Sequence, residues 1–148
     1  MGLLTDALSH ITSQVRSALD ADIDVQEHAG RFTEDELGKI LLKPRSVLVA
    51  VEQLPELNVT TDGIQECTVQ FLIFVICSDV RGTDRHAAAL ALVEQLLPLV
   101  VYARWGQDTR YQPVLPANIT AENLYSGDIS KGKGIAWWAI SFTQAIRN

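Results

Sequence analysis

Apolar residues recur every three or four positions near the start of the chain, which is the spacing of an amphipathic helix. Residues 3–19 follow this pattern, and most of their polar side chains lie off the apolar stripe. The stripe consists of Leu4, Leu8, Ile11, Val15 and Ala18. We therefore predict an α-helix over residues 3–19, with this stripe turned towards a core.

The middle of the chain changes to a period of two, which is typical of β-strands. Residues 45–53 place Val47, Val49 and Val51 on one face. Residues 65–78 form the longest predicted strand, and its second half is apolar on both faces. We expect both faces of that half to be covered.

Shorter elements are predicted before and between these two strands in the sequence. Residues 23–28 are predicted as a short strand, and residues 54–63 as a loop or strand-end connection with an Asp-Gly turn. Thr33 is followed three residues later by a glutamate, the spacing of a capping box. A short helix is therefore predicted to begin there and to end before Pro44.

A second long helix is predicted from about Thr83 to Tyr102, with Thr83 or Asp84 as its cap. Beyond its first turn this helix is apolar nearly all round, so we expect it to be deeply packed. Pro98 is expected to kink the helix, because proline offers no N–H to the preceding turn.

The last third of the chain predicts a loop and a hairpin. Residues 106–119 contain two prolines and little periodicity, and residues 120–126 are predicted to pair with residues 135–146. The order of elements predicts an α+β fold in a single domain over residues 1–148. Its sheet is expected to be mixed and mainly antiparallel, with the two long helices packed on one face.

Two adjacent tryptophans, Trp137 and Trp138, point to opposite faces of the last strand. The even-numbered positions of this strand are the more apolar and are predicted to face the helices. Trp137 lies on the other face, which becomes small and polar further along the strand. Either the loop 104–118 or another subunit is expected to cover it.

Composition and charge exclude several classes of function. The chain has 148 residues, of which 47% are hydrophobic, a formal net charge of −6 and a pI near 4.9. This acidity disfavours sequence-independent binding to nucleic acid and to anionic membranes. We also expect no signal peptide and no membrane span. Cys67 and Cys77 lie too far apart on one strand to pair, which predicts free thiols in a reducing compartment.

The residues that carry chemistry form no recognisable site. His10, His28 and His86 lack the spacing of metal ligands, and the glycines and lysines of residues 126–134 lack the spacing of a phosphate loop. The acidic cluster "TEDE" at residues 33–36 fits the first turn of a helix. We therefore predict no catalytic residue, no cofactor and no metal, and a protein that is not an enzyme.

Three segments resemble a known family: the N-terminal helix, "FLIFVICSDVRGTDRHAAALALVEQL" and "AENLYSGDISKGKGIAWWAISFTQAI". They are similar to the small tail-terminator or tail-completion proteins of Mu-like contractile phages and prophages. The order of elements also resembles the tail-terminator fold of lambda U-type proteins. The resemblance covers almost the whole chain, although no single motif is diagnostic.

The resemblance implies a structural virion protein that forms a homo-oligomeric ring, with six subunits as the expected number. Such a ring caps the tail tube, ends its polymerisation and presents a surface for joining head to tail. The implied partners are other copies of the chain, the tail tube, the sheath protein and the head-side connector. DNA would only pass through the lumen, where an acidic wall discourages sticking. The implied location is the virion tail, after assembly in the host cytoplasm.

Interfaces between proteins favour tryptophan, tyrosine and arginine, so these residues are our candidates for contacts between subunits. We place them on Trp137, Arg81 and the loops 55–63, 104–118 and 127–134. The candidate interface residues are Trp137, Arg81, Trp105, Arg104, Arg110, Tyr111, Lys131 and Lys133.

Two alternatives remain open at this stage. The chain could be a neck or head-completion protein that binds the connector. It could instead be a cytoplasmic enzyme or small-ligand binder, in which case a deep pocket lined by His28, Arg104 or Arg110 is expected.

Overall fold

The structure is a computed structural model that describes residues 2–30, 44–79, 84–124 and 134–148. The predicted short helix after Thr33 lies outside these ranges. In chain order the described elements are α1 (Leu3–Ala18), β1 (Asp24–Glu27), β2 (Arg45–Thr60), β3 (Gly63–Ser78), α2 (Arg85–Val100), a 3₁₀ turn (Pro116–Asn118), β4 (Ile119–Asn123) and β5 (Ile135–Arg147).

Within the described residues, five strands form one sheet in the order β1-β2-β3-β5-β4. β1 runs parallel to β2, and the other neighbouring pairs are antiparallel. The predicted α+β fold with a mixed, mainly antiparallel sheet is confirmed. The predicted hairpin is also present, because β4 pairs with β5 from Ile119 opposite Phe142 to Asn123 opposite Trp138.

Both helices pack on one face of the sheet, as predicted. Their buried side chains join alternate residues of β2, β3 and β5 in one hydrophobic cluster. The stripe of α1 is rotated from the prediction, since Leu3 and Ala7 are buried, whereas Leu4 and Leu8 are half-buried and Ala18 is exposed. The residues turned most fully towards the sheet are therefore four apart: Leu3, Ala7, Ile11 and Val15.

The opposite face of the sheet carries a second cluster. It contains Leu48, Ala50, Leu72, Phe74, Ile76, Ile135 and Ala139, with Trp137 and Leu124 packed against it. Residues 71–77 of β3 are buried throughout, which confirms that the second half of this strand is covered on both faces. The predicted alternation on β5 is also confirmed, with Trp138 on the helix side and Trp137 on the other.

The loop or strand-end connection predicted over residues 54–63 is wrong for residues 54–60, because β2 continues to Thr60, but the predicted turn is present before β3 begins at Gly63. Irregularities in the β2–β3 register near Gln53, Glu56 and Val59 hide the period of two from the sequence. The turn itself is short, and Gly63 takes a φ of 112°, which favours glycine.

α2 begins as predicted but is less deeply packed than expected. The carboxylate of Asp84 accepts from the backbone N–H groups of His86 (2.7 Å) and Ala87 (3.1 Å), so Asp84 is the cap. Leu90 is exposed on the outer face of the helix, although the pattern placed apolar residues there. The sheet covers only one side of α2.

The cap of α2 makes a prediction about acid stability. The N–H groups of Ala87 and His86 stabilise the charged carboxylate and lower the pKa of Asp84 below its usual 3.8. A carboxyl whose pKa is lower in the folded than in the unfolded protein stabilises the fold fully at any pH above its unfolded pKa. This stabilisation is lost as the pH falls through its folded pKa. Asp84→Asn keeps an acceptor oxygen but cannot titrate, so it should lose less stability than the wild type on acidification. Thermal unfolding followed by circular dichroism, at neutral pH and at about pH 2.5, checks this.

Asp84→Ala removes both the acceptor and the charge, and should lower the melting temperature at neutral pH. If the asparagine variant loses as much stability in acid as the wild type, Asp84 does not cause the loss.

Candidate functional site

The distal part of the β2–β3 hairpin projects beyond its neighbours, and we call residues 56–66 the arm. β5 pairs with β3 only as far as Glu66, and β1 pairs with β2 only at residues 46–49. Residues 56–62 are all exposed. The outer edge of β2 therefore has no β1 partner along the arm, and an edge of this kind can pair with another chain.

One face of the arm is apolar. Leu57 lies opposite Cys67, and Val59 lies opposite Ile64, so both point to the side of the sheet that carries the helices. Leu57 is 51% exposed and Val59 is 57% exposed. The arm thus carries adjacent apolar side chains past the point where the chain covers its own sheet.

The arm is also acidic. It contains Glu56, Asp62 and Glu66, and positions 46–79 contain no lysine or arginine. Exposed charges of one sign produce a field that favours an oppositely charged partner surface.

A second surface lies on the far side of β5, and we call residues 102–112 the arginine segment. Its backbone runs beside the end of β5, where the N–H of Gln112 donates to Ala145 O (3.0 Å) and the N–H of Arg147 donates to Arg110 O (2.9 Å). An isolated bridge joins Tyr111 to Ile146. The arginine segment therefore continues the edge of the sheet that β4 begins.

The buried amide of Gln144 holds the arginine segment on β5. Its oxygen accepts from Trp105 Nε1 (2.9 Å), and its nitrogen donates to Ala103 O (3.1 Å) and to Gln112 O (2.7 Å). Only 3% of Gln144 is exposed. Buried polar groups must find partners, so this network specifies one position for the segment.

Two non-glycine residues of the arginine segment have positive φ, Tyr102 at 59° and Trp105 at 53°. Bulky side chains rarely adopt this conformation, and it persists only where the surroundings enforce it. Tyr102 is 62% exposed. The segment therefore presents an aromatic ring to solvent from a constrained backbone.

The structure separates the predicted interface residues into exposed and buried groups. Arg104 is exposed and donates to Asp108 O (2.8 Å), and Arg110 is half-buried and donates to Gln107 Oε1 (3.0 Å). Both donate hydrogen bonds within the segment, and Arg104 presents its charge at the surface. Arg81, Lys131 and Lys133 lie outside the described residues.

Trp105 and Tyr111 are not available as contacts between subunits in this conformation, because they are 4% and 2% exposed. Trp105 packs on Phe142 with ring centroids 5.9 Å apart. The hydroxyl of Tyr111 lies 2.9 Å from Nδ1 of His10, and burial raises the pKa of this tyrosine. His10 is half-buried at this contact.

Trp137 is half-buried and packs on Phe74, with ring centroids 6.4 Å apart and planes at 28°. The predicted cover by the loop 104–118 is wrong, because the buried side chains of that loop join the cluster on the helix side. Trp137 belongs to the cluster on the opposite face.

Both cysteines are free and buried on β3, as expected. Burial raises the pKa of Cys77 to about 11 and also raises that of Cys67, so both are protonated thiols at neutral pH. In the described ranges, no three His, Cys, Asp or Glu residues are grouped to hold a metal ion. No helix of these ranges is long and apolar enough to cross a bilayer.

A groove of about 300 Å³ lies on the polar half of the sheet, on the face opposite the helices. Thr68, Thr143 and Ala145 form its floor, and Pro113 and Leu115 border it. His28, Arg104 and Arg110 do not line this groove, so it is not the pocket that the small-ligand alternative requires.

The solved structures similar to this chain include two tube terminators or caps. No protein-family model matches the chain, and no curated protein matches it. One neighbour is the sheath/tube terminator of the extracellular contractile injection system PVC in its extended state, at 12% identity and a TM-score of 0.36. The other is the tube-terminating cap of the anti-feeding prophage AFP, at 11% identity and a TM-score of 0.43.

The alignments cover 100% and 99% of this chain, which spans 58% and 56% of those two proteins. The chain is thus little more than half as long as either neighbour. Similarity at these values does not place it in the family of either protein.

The position of Gln144 makes a prediction about stability. Gln144→Leu has a similar size but removes the amide that pairs Trp105 Nε1 and Gln112 O, whereas Ala103 O keeps the backbone N–H of Val114 (3.2 Å). We expect the free energy of unfolding to fall by at least about 2 kcal/mol, since each buried unpaired group costs about 1–3 kcal/mol. Urea unfolding measures the loss.

Gln112→Leu is the matched control, because it makes the same chemical change at an exposed side chain of the same segment. Equal unfolding midpoints for the two variants would show that the amide of Gln144 does not hold the segment.

Proposed function

We propose that this chain is a subunit of a homo-oligomeric ring that caps the tube of a contractile phage tail. The sequence resemblance of its N-terminal helix and of two later segments supports the assignment to a tail. The observation that carries the proposal of self-association is the exposed arm, where Leu57 and Val59 extend an apolar face beyond the covered part of the sheet. A monomer gains nothing from exposing such a pair, whereas a neighbouring subunit could bury it.

In this proposal the ring has six subunits and acts by binding alone. One side of the ring binds the last layer of the tail tube and ends its growth. The other side is available to the head-side connector, and the outer surface to the sheath. Assembly takes place in the host cytoplasm, and the product remains in the virion tail.

A head-to-tail ring requires two unlike surfaces on each subunit. The arm and the arginine segment differ in charge and lie on different strands of the sheet. Trp137 is a further candidate contact on the face opposite the helices, where its indole is half-buried.

Tube growth in the presence of this protein tests the proposed function. Purified tube subunits from the same gene cluster are polymerised with and without the protein, and tube lengths are measured by negative-stain electron microscopy. We expect shorter tubes with a ring at one end, and native mass spectrometry should give a single closed oligomer. Unchanged tube lengths, together with binding to purified connector, would favour the neck-protein alternative.

Truncating Trp137 tests its part in the contact. We expect Trp137→Ala to weaken assembly in native mass spectrometry while the monomer remains folded, because only part of the indole packs within the subunit. Trp138→Ala is the matched control, since it removes an equally half-buried ring from the helix side. Unfolding of the Trp137 variant as a monomer would assign this residue to the core instead.

A further inference from the structure

We propose that the arm of one copy docks on the arginine segment of a second copy, and that this contact repeats from subunit to subunit. The inference rests on the self-association in the proposed function but does not depend on a tail. It assigns the two halves of the contact to residues 56–66 and 102–112.

The topology of the sheet places the two surfaces on opposite sides of the same end of the molecule. Glu66 pairs with Arg147, so the arm leaves the sheet where β5 ends. The arginine segment pairs with the same end of β5, but on the edge that faces away from β3. Two different surfaces on opposite sides of one end can join neighbouring copies side by side.

The apolar strip of the arm does not reach the arginine segment of its own chain. Leu57 and Val59 are on β2, and both β3 and β5 lie between β2 and the segment. Three strand spacings amount to about 14 Å, which is beyond side-chain contact. A second copy is therefore the occupant that brings the surfaces together.

The surfaces match in charge. The arm has three acidic residues and no basic one, whereas the arginine segment has Arg104 and Arg110 against a single acid, Asp108. Glu66 is already opposite Arg147 within the chain. Glu56 and Asp62 lie on the part of the arm that β5 does not flank, so these are the acids that we assign to the partner's arginines, and such pairs set the register of an interface.

The surfaces also match in polarity. Leu57 and Val59 form an apolar strip, and Tyr102 offers an exposed aromatic ring beside Arg104. Aromatic and arginine side chains are enriched at the buried centres of interfaces. The hydrogen bonds of Gln144 hold the segment in place before any partner arrives, which reduces the conformational entropy lost on binding.

Charge reversal on each side tests the contact. Glu56→Arg and Arg104→Glu should each weaken self-association by at least about tenfold, and the double variant should recover most of it. Analytical ultracentrifugation of the full chain over a concentration series gives the association constants. Each variant is first checked by thermal unfolding, so that loss of folding is not counted as loss of association.

Glu27→Arg is the matched control, because it makes the same charge change on an exposed strand residue far from the arm. It should leave the association constant unchanged. Increasing the salt concentration from about 0.05 to about 0.5 M should weaken association of the wild type more than that of either single variant. The reason is that salt screens the attraction between Glu56 of one copy and Arg104 of the other.

Each remaining outcome overturns a defined part of the proposal. A wild type that stays monomeric at high concentration overturns both the ring and the contact. A wild-type ring that survives both single charge reversals overturns the arm contact and leaves the proposed function standing. Loss of the ring with Leu90→Ser, but not with Leu57→Ser, would assign the contact to the outer face of α2 instead.

Discussion

The antiparallel pairing of β3 with β5 is the constraint on which the rest of the structure depends. It runs without a register shift from Glu66 opposite Arg147 to Ser78 opposite Ile135. Because the register decides which side chains share a face, it brings Phe71 against Phe142 under the helices, with ring centroids 5.4 Å apart. It also leaves the outer edge of β5 open for β4 and the arginine segment. The two candidate surfaces thus take their positions from one strand pair.

Local patterns predicted the parts of the fold that depend on local physics. The alternation on β5 placed Trp137 and Trp138 on opposite faces, because a strand allows no other arrangement. Thr83 or Asp84 was predicted as the cap because such a side chain reaches only the next few N–H groups, and Asp84 is the one that does so. The extent of β2 was not predictable in the same way, since irregular register near Gln53 and Glu56 breaks the period of two. The arm was consequently mistaken for a loop.

The candidate contact residues show where composition misleads. Trp105 and Tyr111 were chosen because interfaces favour their residue types, but buried cores favour large amphipathic rings as well when the polar end has a partner. Gln144 and His10 supply those partners, from 39 and 101 residues away in the chain. The available clue was a glutamine on the apolar face of β5. The partners of Gln144 could not be identified without the tertiary structure, because they lie far from it in the sequence.

The two surfaces differ in how much of their structure the subunit itself provides, and this difference bears on the proposed contact between copies. The arginine segment is fixed by buried hydrogen bonds and by packing of Trp105 on Phe142. Among the described residues no third strand pairs with the tip of the arm, and an isolated hairpin is only marginally stable in water. In the proposed contact, docking would add apolar burial to the arm, while the segment would keep the shape that it already has. The conformational entropy lost on binding would then fall mainly on the arm, because the surface that receives it is already formed by the subunit.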